Sequence, residues 1–278
     1  MDVSGKTRIA GIFGCPIEHT LSPLMHNAAF QTLGLDICYV PFKVLPESLP
    51  DAVRAIRSLN MLGVNITVPH KEKVMPLLDT VHEEASFIGA VNTITHTEGV
   101  LTGYNTDGRG FISSLTDEGI SFEGKNIFII GAGGASRAIS YYLSERASTL
   151  TLFDTDRAKA EKLAKDLSVI RSNVHVVKER ENNLHPDIVI NATPLGLKPD
   201  DPLPFNPEFI TSEMVICDLV YKKTGLLNEA ELRGAKIIDG SGMLLWQGVL
   251  AFELWTGVKP PVDIMRDLLL SKIRGVTS

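Results

Sequence analysis

The sequence predicts an α/β protein, and three features carry that prediction. Short apolar, β-branched runs alternate with helical patterns along nearly the whole chain, which is the sequence form of a parallel sheet with crossover helices. One alternation, Phe128-Ile129-Ile130-Gly131-Ala132-Gly133-Gly134-Ala135-Ser136, takes a buried strand through a glycine turn into a helix start. At 278 residues the chain is nearly twice the ~150 residues of an average domain, so two domains are expected.

In the first third, strands are expected at Arg8 to Phe13, Ile37 to Phe42 and Gly63 to Thr67, and helices at Pro23 to Leu33 and Glu47 to Leu59. Ser22 before Pro23 reads as an N-cap followed by proline at the first helical position. Two short strands follow, Ala90 to Thr95 and Val100 to Thr102, joined by the turn His96-Thr97-Glu98-Gly99. Asn105-Thr106-Asp107-Gly108 reads as a loop capping a helix to about Leu115.

A second series begins at Asn126, with strand Ile127 to Ile130, helix Gly134 to Ser144, strand Thr149 to Phe153 and helix Arg157 to Asp166. Strands near Val174 to Val177, Ile188 to Ile190, Val215 to Asp218 and Lys236 to Ile238 continue it. Four prolines between Lys198 and Pro207 make that stretch a loop. Two helices, Met243 to Trp255 and Pro261 to Arg274, close the chain with no strands left for another domain, so they are expected to return to the first. The domains are therefore residues 1–107 with 242–278, and residues 108–241.

Hydrophobic residues make up 44% and charged residues 22%, enough apolar material for sizeable cores. The net charge is −6 and no basic block stands out, which argues against a nucleic-acid partner. Cys15, Cys38 and Cys217 form no C-x-x-C pair and have no neighbouring histidine, so they read as free thiols in a reducing compartment, and no metal is expected. His19 and His26, seven residues apart, suit no metal pair on a helix. No apolar run approaches the ~20 residues of a membrane span, and a cytoplasmic protein is the reading.

Each part of the glycine segment has a physical purpose. Gly131 permits the tight turn, Gly133 lets backbone approach a pyrophosphate, and the helix start offers N–H groups to negative oxygens. Ser136 replaces the third glycine and is still small. Asp154 ends the next strand, near the distance at which an acid takes the adenosine ribose hydroxyls.

In the first domain, Thr20 and Ser22 stand at the mouth of a helix, where hydroxyls and N–H groups suit a carboxylate, although Ser22 alone would be only a cap. Gly63-Val64-Asn65-Ile66-Thr67-Val68-Pro69-His70-Lys71 presents Lys71 at an expected helix start, where a cation opposes the dipole and needs another reason to be there. Gly89-Ala90-Val91-Asn92-Thr93 and Gly103-Tyr104-Asn105-Thr106-Asp107-Gly108 add an amide and a carboxylate at the edges of short strands.

Together with Gly14 to Asn27, Gly131 to Ala135, Asn191-Ala192-Thr193-Pro194-Leu195-Gly196, Asp218-Leu219-Val220-Tyr221 and Gly242-Met243-Leu244-Leu245-Trp246-Gln247, these segments resemble the shikimate dehydrogenase family, including its quinate/shikimate branch. The resemblance covers nearly the whole chain. It implies an N-terminal α/β substrate-binding domain and a Rossmann-type dinucleotide-binding domain. It also implies reversible NAD(P)H-dependent reduction of 3-dehydroshikimate to shikimate, in aromatic amino-acid (chorismate) biosynthesis, with the substrate in the cleft between domains. Lys71 and Asp107 would be the catalytic pair, and Thr20, Ser22, Thr67, Asn92, Tyr221 and Gln247 would hold the substrate's carboxylate and hydroxyls. Gly131, Ala132, Gly133, Gly134, Ala135, Thr193, Glu83, Leu219 and Gly240 would lie at the cofactor.

Two departures bear on specificity. Thr20 replaces the family's usual serine and shifts the balance toward quinate. Asp154-Thr155-Asp156 stands where NADP-using members carry Asn-Arg-Thr, which favours NAD over NADP, with Arg157 and Lys159 as the residues that could still clamp a phosphate. Shikimate or quinate is the small-molecule partner, and a second copy of the chain, as a homodimer, is the one protein partner in view.

Overall fold

The computed structural model describes residues 3–178 and 184–275. In chain order its elements are β1 (Arg8–Gly14), α1 (Ser22–Thr32), β2 (Ile37–Lys43), α2 (Leu49–Ser58), β3 (Gly63–Ile66), β4 (Thr80–Val81), α3 (Glu83–Ile88), β5 (Thr93–Thr97), β6 (Val100–Tyr104) and α4 (Asp107–Asp117). There follow β7 (Asn126–Ile130), α5 (Gly134–Arg146), β8 (Thr149–Phe153), α6 (Arg157–Ser168), β9 (Val174–Val176), β10 (Ile188–Asn191), β11 (Val215–Asp218), α7 (Gly225–Leu232), β12 (Lys236–Ile238), α8 (Ser241–Thr256) and α9 (Val262–Ile273). The chain divides into two compact units, Met1–Thr106 with Gln247–Ser278, and Asp107–Trp246.

The sheet of the first unit has the order β2-β1-β3-β5-β6-β4. It is mixed, because β5 runs antiparallel to both β3 and β6. The cause is local. Thr97 pairs with Val100, so Glu98 and Gly99 alone make the turn, with φ of 51° and 82°, the paired positive values of a type I′ hairpin. All four residues of β3 are buried, and Val64 and Ile66 join Phe13, Val53, Ile56, Ile94 and Leu101 in the core. Each such side chain contributes roughly 1.5–3 kcal/mol by leaving water.

Two local expectations for this unit fail. Helix α1 begins at Ser22 itself, with Leu21 at the cap position and no side-chain cap. Ser22 is buried, and its hydroxyl hydrogen-bonds the Tyr39 phenol, while Thr20 Oγ1 accepts from the Ser22 N–H at 3.4 Å. Lys71 stands in a run of turns rather than at a helix start, and only a 3₁₀ turn, Met75–Leu77, follows.

In the second unit all strands are parallel and the order is β12-β11-β10-β7-β8-β9. This is the doubly wound arrangement, in which the strand order reverses between β7 and β10 and ligands bind beyond the carboxyl ends of the strands. Phe128, Ile130, Val189, Ile216, Leu226 and Leu227 fill its core. The sequence reading passed over α3 and α7. Both are short, but each had a signal: Gly89 ends α3 with φ 75°, and the Thr224 hydroxyl caps α7 by accepting from the Leu227 N–H.

Candidate functional site

The glycine loop between β7 and α5 has the shape a pyrophosphate needs. Gly131 has φ of +103°, and a Cβ there would lie 2.8 Å from the Ala192 carbonyl oxygen, so only glycine allows the turn to pass β10. At Gly133 and Gly134 a Cβ would meet nothing within 4 Å; this is open space that side chains would fill. Helix α5 starts with no side-chain cap, so the orphan N–H groups of its first turn suit an anion. A dinucleotide fits this cradle.

Asp154, at the end of β8, is held against the loop. Its Oδ2 accepts from the Ala132 N–H at 2.7 Å and its Oδ1 from the Asp156 N–H at 2.8 Å. Oδ2 keeps a lone pair for a ribose hydroxyl, while Oδ1 also receives the Thr155 hydroxyl at 3.5 Å. Arg157 pairs with Glu161 at 2.6 Å and Lys159 with Asp156 at 3.5 Å. On the other half of this sheet, Thr193 donates to Asn191 Oδ1 at 2.6 Å. Gly240 packs so closely that a Cβ would lie 2.2 Å from the Leu219 carbonyl oxygen. Tyr221 is exposed just beyond β11.

In the first unit, the polar residues form one buried chain. Ser22 meets Tyr39, whose hydroxyl donates to Asn65 Oδ1 at 2.7 Å. Asn65 Nδ2 donates to Thr93 Oγ1 at 3.1 Å, and Thr93 donates to Asn92 Oδ1 at 2.9 Å. Asn92 Oδ1 also accepts from the Thr106 N–H at 2.8 Å, and Thr106 Oγ1 lies 3.1 Å from the Gln247 carbonyl oxygen. Burial raises the Tyr39 pKa well above its ordinary value, so the phenol stays protonated and able to donate. Tyr39, Asn65, Thr93 and Thr106 were not singled out from the sequence, although they link three residues that were: Ser22, Asn92 and Gln247.

Thr67 follows β3, with its N–H on the Phe13 carbonyl at 3.0 Å. A Cβ on Gly14 would lie 2.4 Å from its Cγ2, so glycine there lets the Thr67 side chain approach β1. Lys71 is half-buried, and its carbonyl accepts from the Val91 N–H at 2.8 Å, beside Asn92. Lys71 belongs to the first unit, while Asp107 opens α4 and the second. Glu83 is exposed in the first turn of α3, in the first unit. Among the described residues no group of three or more His, Cys, Asp and Glu could hold a metal, and no helix is long and apolar enough to cross a membrane.

Residues 12–94 match the model of the shikimate dehydrogenase substrate binding domain, and residues 240–270 that of the shikimate 5′-dehydrogenase C-terminal domain. A shikimate dehydrogenase (NADP⁺) of Desulforamulus reducens is 47% identical, covering 98% of this chain and 97% of the relative. The chain belongs to the shikimate dehydrogenase family. A solved shikimate dehydrogenase in complex with NADP⁺ superposes with TM-score 0.91 at 38% identity, covering 98% of each chain. The shikimate 5-dehydrogenase of Listeria monocytogenes, solved with shikimate and NAD, gives 0.90 at 35% identity, over 97% of this chain and 98% of the other. The two-domain, Rossmann-type fold of the shikimate dehydrogenases is thus the fold of this chain.

Proposed function

We propose that this chain interconverts 3-dehydroshikimate and shikimate with a nicotinamide dinucleotide, the Met1–Thr106 and Gln247–Ser278 unit binding the acid and the Asp107–Trp246 unit the dinucleotide. The observation that carries the reading is the placement of Lys71. It follows β3 in a turn whose backbone is tied to Val91, next to the buried chain of Asn65, Thr93, Asn92 and Thr106. Membership of the family supports it.

The bound dinucleotide supplies or takes up the hydride. Lys71 holds a proton at the ring oxygen as charge develops there, so that its ammonium serves as both proton donor and electrostatic partner. Asp107 balances that cation and shares its proton. Thr20, at the start of α1, holds the carboxylate together with Tyr221, and Ser22 joins them by turning its one hydroxyl proton from Tyr39 to the carboxylate. Thr67, Asn92 and Gln247 orient the ring hydroxyls. The loop Gly131, Ala132, Gly133, Gly134 and Ala135 takes the pyrophosphate, while Thr193, Leu219 and Gly240 flank the second nucleoside and Glu83 lies near it.

Asp154, Thr155 and Asp156 favour NAD. The cations nearest in sequence to those carboxylates, Arg157 and Lys159, are engaged with Glu161 and Asp156. Thr20 in place of serine makes quinate the alternative acid. Absorbance at 340 nm with shikimate or quinate and each dinucleotide tests the activity and both preferences. Shikimate-dependent reduction is expected, and no reaction with either acid would leave a dinucleotide-sensing module as the reading.

A further inference from the structure

Asp218 is the one deeply buried carboxylate at the carboxyl edge of the second unit's sheet, among the described residues, at 1% exposure. Buried carboxylates are costly unless hydrogen bonds satisfy them, so what Asp218 holds is informative. Asn191 and Asp218 are partners across the β10–β11 register. Asn191 Nδ2 donates to Asp218 Oδ1 at 3.0 Å, and the Val220 N–H donates to the same oxygen at 3.0 Å. The Thr224 hydroxyl donates to Oδ2 at 2.7 Å and caps α7 in turn.

Asn191 works the other loop in the same way. Its Nδ2 also donates to the Leu195 carbonyl at 3.0 Å, and its Oδ1 accepts from the Thr193 N–H at 3.1 Å and the Thr193 hydroxyl at 2.6 Å. The two strand-end side chains therefore close both loops, residues 192–196 and 219–224, onto each other. All three donors to the Asp218 carboxyl are neutral. These loops lie on the half of the sheet opposite the glycine turn, where a doubly wound fold receives the second nucleoside.

We infer that Asp218 and Asn191 are a positioning pair for dinucleotide binding, fixing Thr193 on one loop and Leu219 on the other without touching the ligand themselves. The inference rests on the functional reading only in taking the ligand to be a nicotinamide dinucleotide.

The test is the dissociation constant of the preferred dinucleotide, measured by isothermal titration on the full chain without substrate, for the parent, Asp218→Ala, Asn191→Ala, the double variant and Asp218→Asn. Each alanine change is expected to weaken binding at least tenfold. The double should be no worse than threefold beyond the weaker single, since either loss opens the same closure. Asp218→Asn keeps an acceptor for Asn191 and Val220 and should recover most of the loss. A merely structural role would lower the melting temperature and leave the dissociation constant of the folded protein within twofold, which overturns the inference. Should the alanine variants not fold, Asn191→Ser, which loses the reach to Asp218, decides between the same outcomes. Parent protein that binds dinucleotide but oxidises neither shikimate nor quinate refutes the functional reading and leaves this one standing.

Discussion

The Tyr39 hydroxyl donates to Asn65 Oδ1 at 2.7 Å, both residues buried, on β2 and β3 with β1 between them, and it receives a hydrogen bond from Ser22. A phenol in a strand core thus aligns a hydroxyl at the start of α1. Tyr39→Phe strands the Asn65 oxygen in a buried site, which costs about 1–3 kcal/mol of stability. Ser22→Ala removes no cap, since Leu21 holds that position, so its stability loss should be smaller while the Michaelis constant for shikimate rises. Denaturant unfolding of both variants, with kinetics, checks this; equal melting behaviour would detach Tyr39 from Asn65.

Lys71→Ala should lower kcat by about 10² to 10⁴, the usual contribution of a positioned proton donor, with a far smaller change in the Michaelis constant. If Lys71 and Asp107 work as a pair, the double variant costs less than the two single losses added as free energies. Steady-state kinetics on the three variants decides. Unchanged turnover in Lys71→Ala would remove it from the chemistry.

His26 is fully buried among the rings of Phe30, Tyr39, Phe252 and Trp255, 4.5 Å from the Tyr39 centroid, and neither of its ring nitrogens has a hydrogen-bond partner. Burial pushes its pKa down to about 3 from 6.5. The native state keeps it neutral, so below pH 6.5 the unfolded state binds the extra proton and stability falls with pH, by up to ~1.4 kcal/mol per pH unit until about pH 3. Above pH 6.5 the residue contributes no pH dependence. The thermal midpoint of His26→Phe should therefore fall less than the parent's between pH 7 and pH 5, and parallel curves would show that other groups set the acid limb.

Contiguous chemistry was legible in the sequence, and pairing across the fold was not. The run from Ile127 through the glycines to Ser144 became β7 (Asn126–Ile130) and α5 (Gly134–Arg146), because strand, turn and helix signals there are all local. Tyr39 carries no such signal. It lies in an apolar strand, Ile37–Lys43, and its partner is 26 residues away. Ser22 looked like a cap because the sequence cannot show that Tyr39 would claim its hydroxyl. In the sequence Asp218 is only the first residue of the Asp218-Leu219-Val220-Tyr221 segment. Its burial depends on the β10–β11 register with Asn191, which no local pattern encodes. The β5–β6 hairpin follows from its turn residues, but Thr97 pairs with Val100, so the turn is two residues where the sequence suggests four.

Local charge and kinship point in different directions on the choice of dinucleotide. The Desulforamulus reducens relative is named for NADP⁺, and a solved neighbour carries it. Here the end of β8 presents Asp154, already fixed by the Ala132 and Asp156 N–H groups, with the uncharged Thr155 beside it. A 2′-phosphate brought there would meet Asp154 and Asp156. At ~4 Å and an effective dielectric of ~20 the gross repulsion per unit pair is about 4 kcal/mol, which exposure and salt reduce. A quarter of it is still about fivefold in affinity. The two nearby cations cannot turn to a phosphate without leaving Glu161 and Asp156. These exposed pairs are worth little, roughly 0.2–1 kcal/mol each, so the cations resist only weakly and the repulsion has to decide. The expected outcome is a kcat/KM ratio favouring NAD in the parent and shifting at least tenfold toward NADP in Asp154→Asn with Thr155→Arg. A parent that already prefers NADP would mean that Arg157 and Lys159 give up their pairs for the phosphate and outweigh both carboxylates.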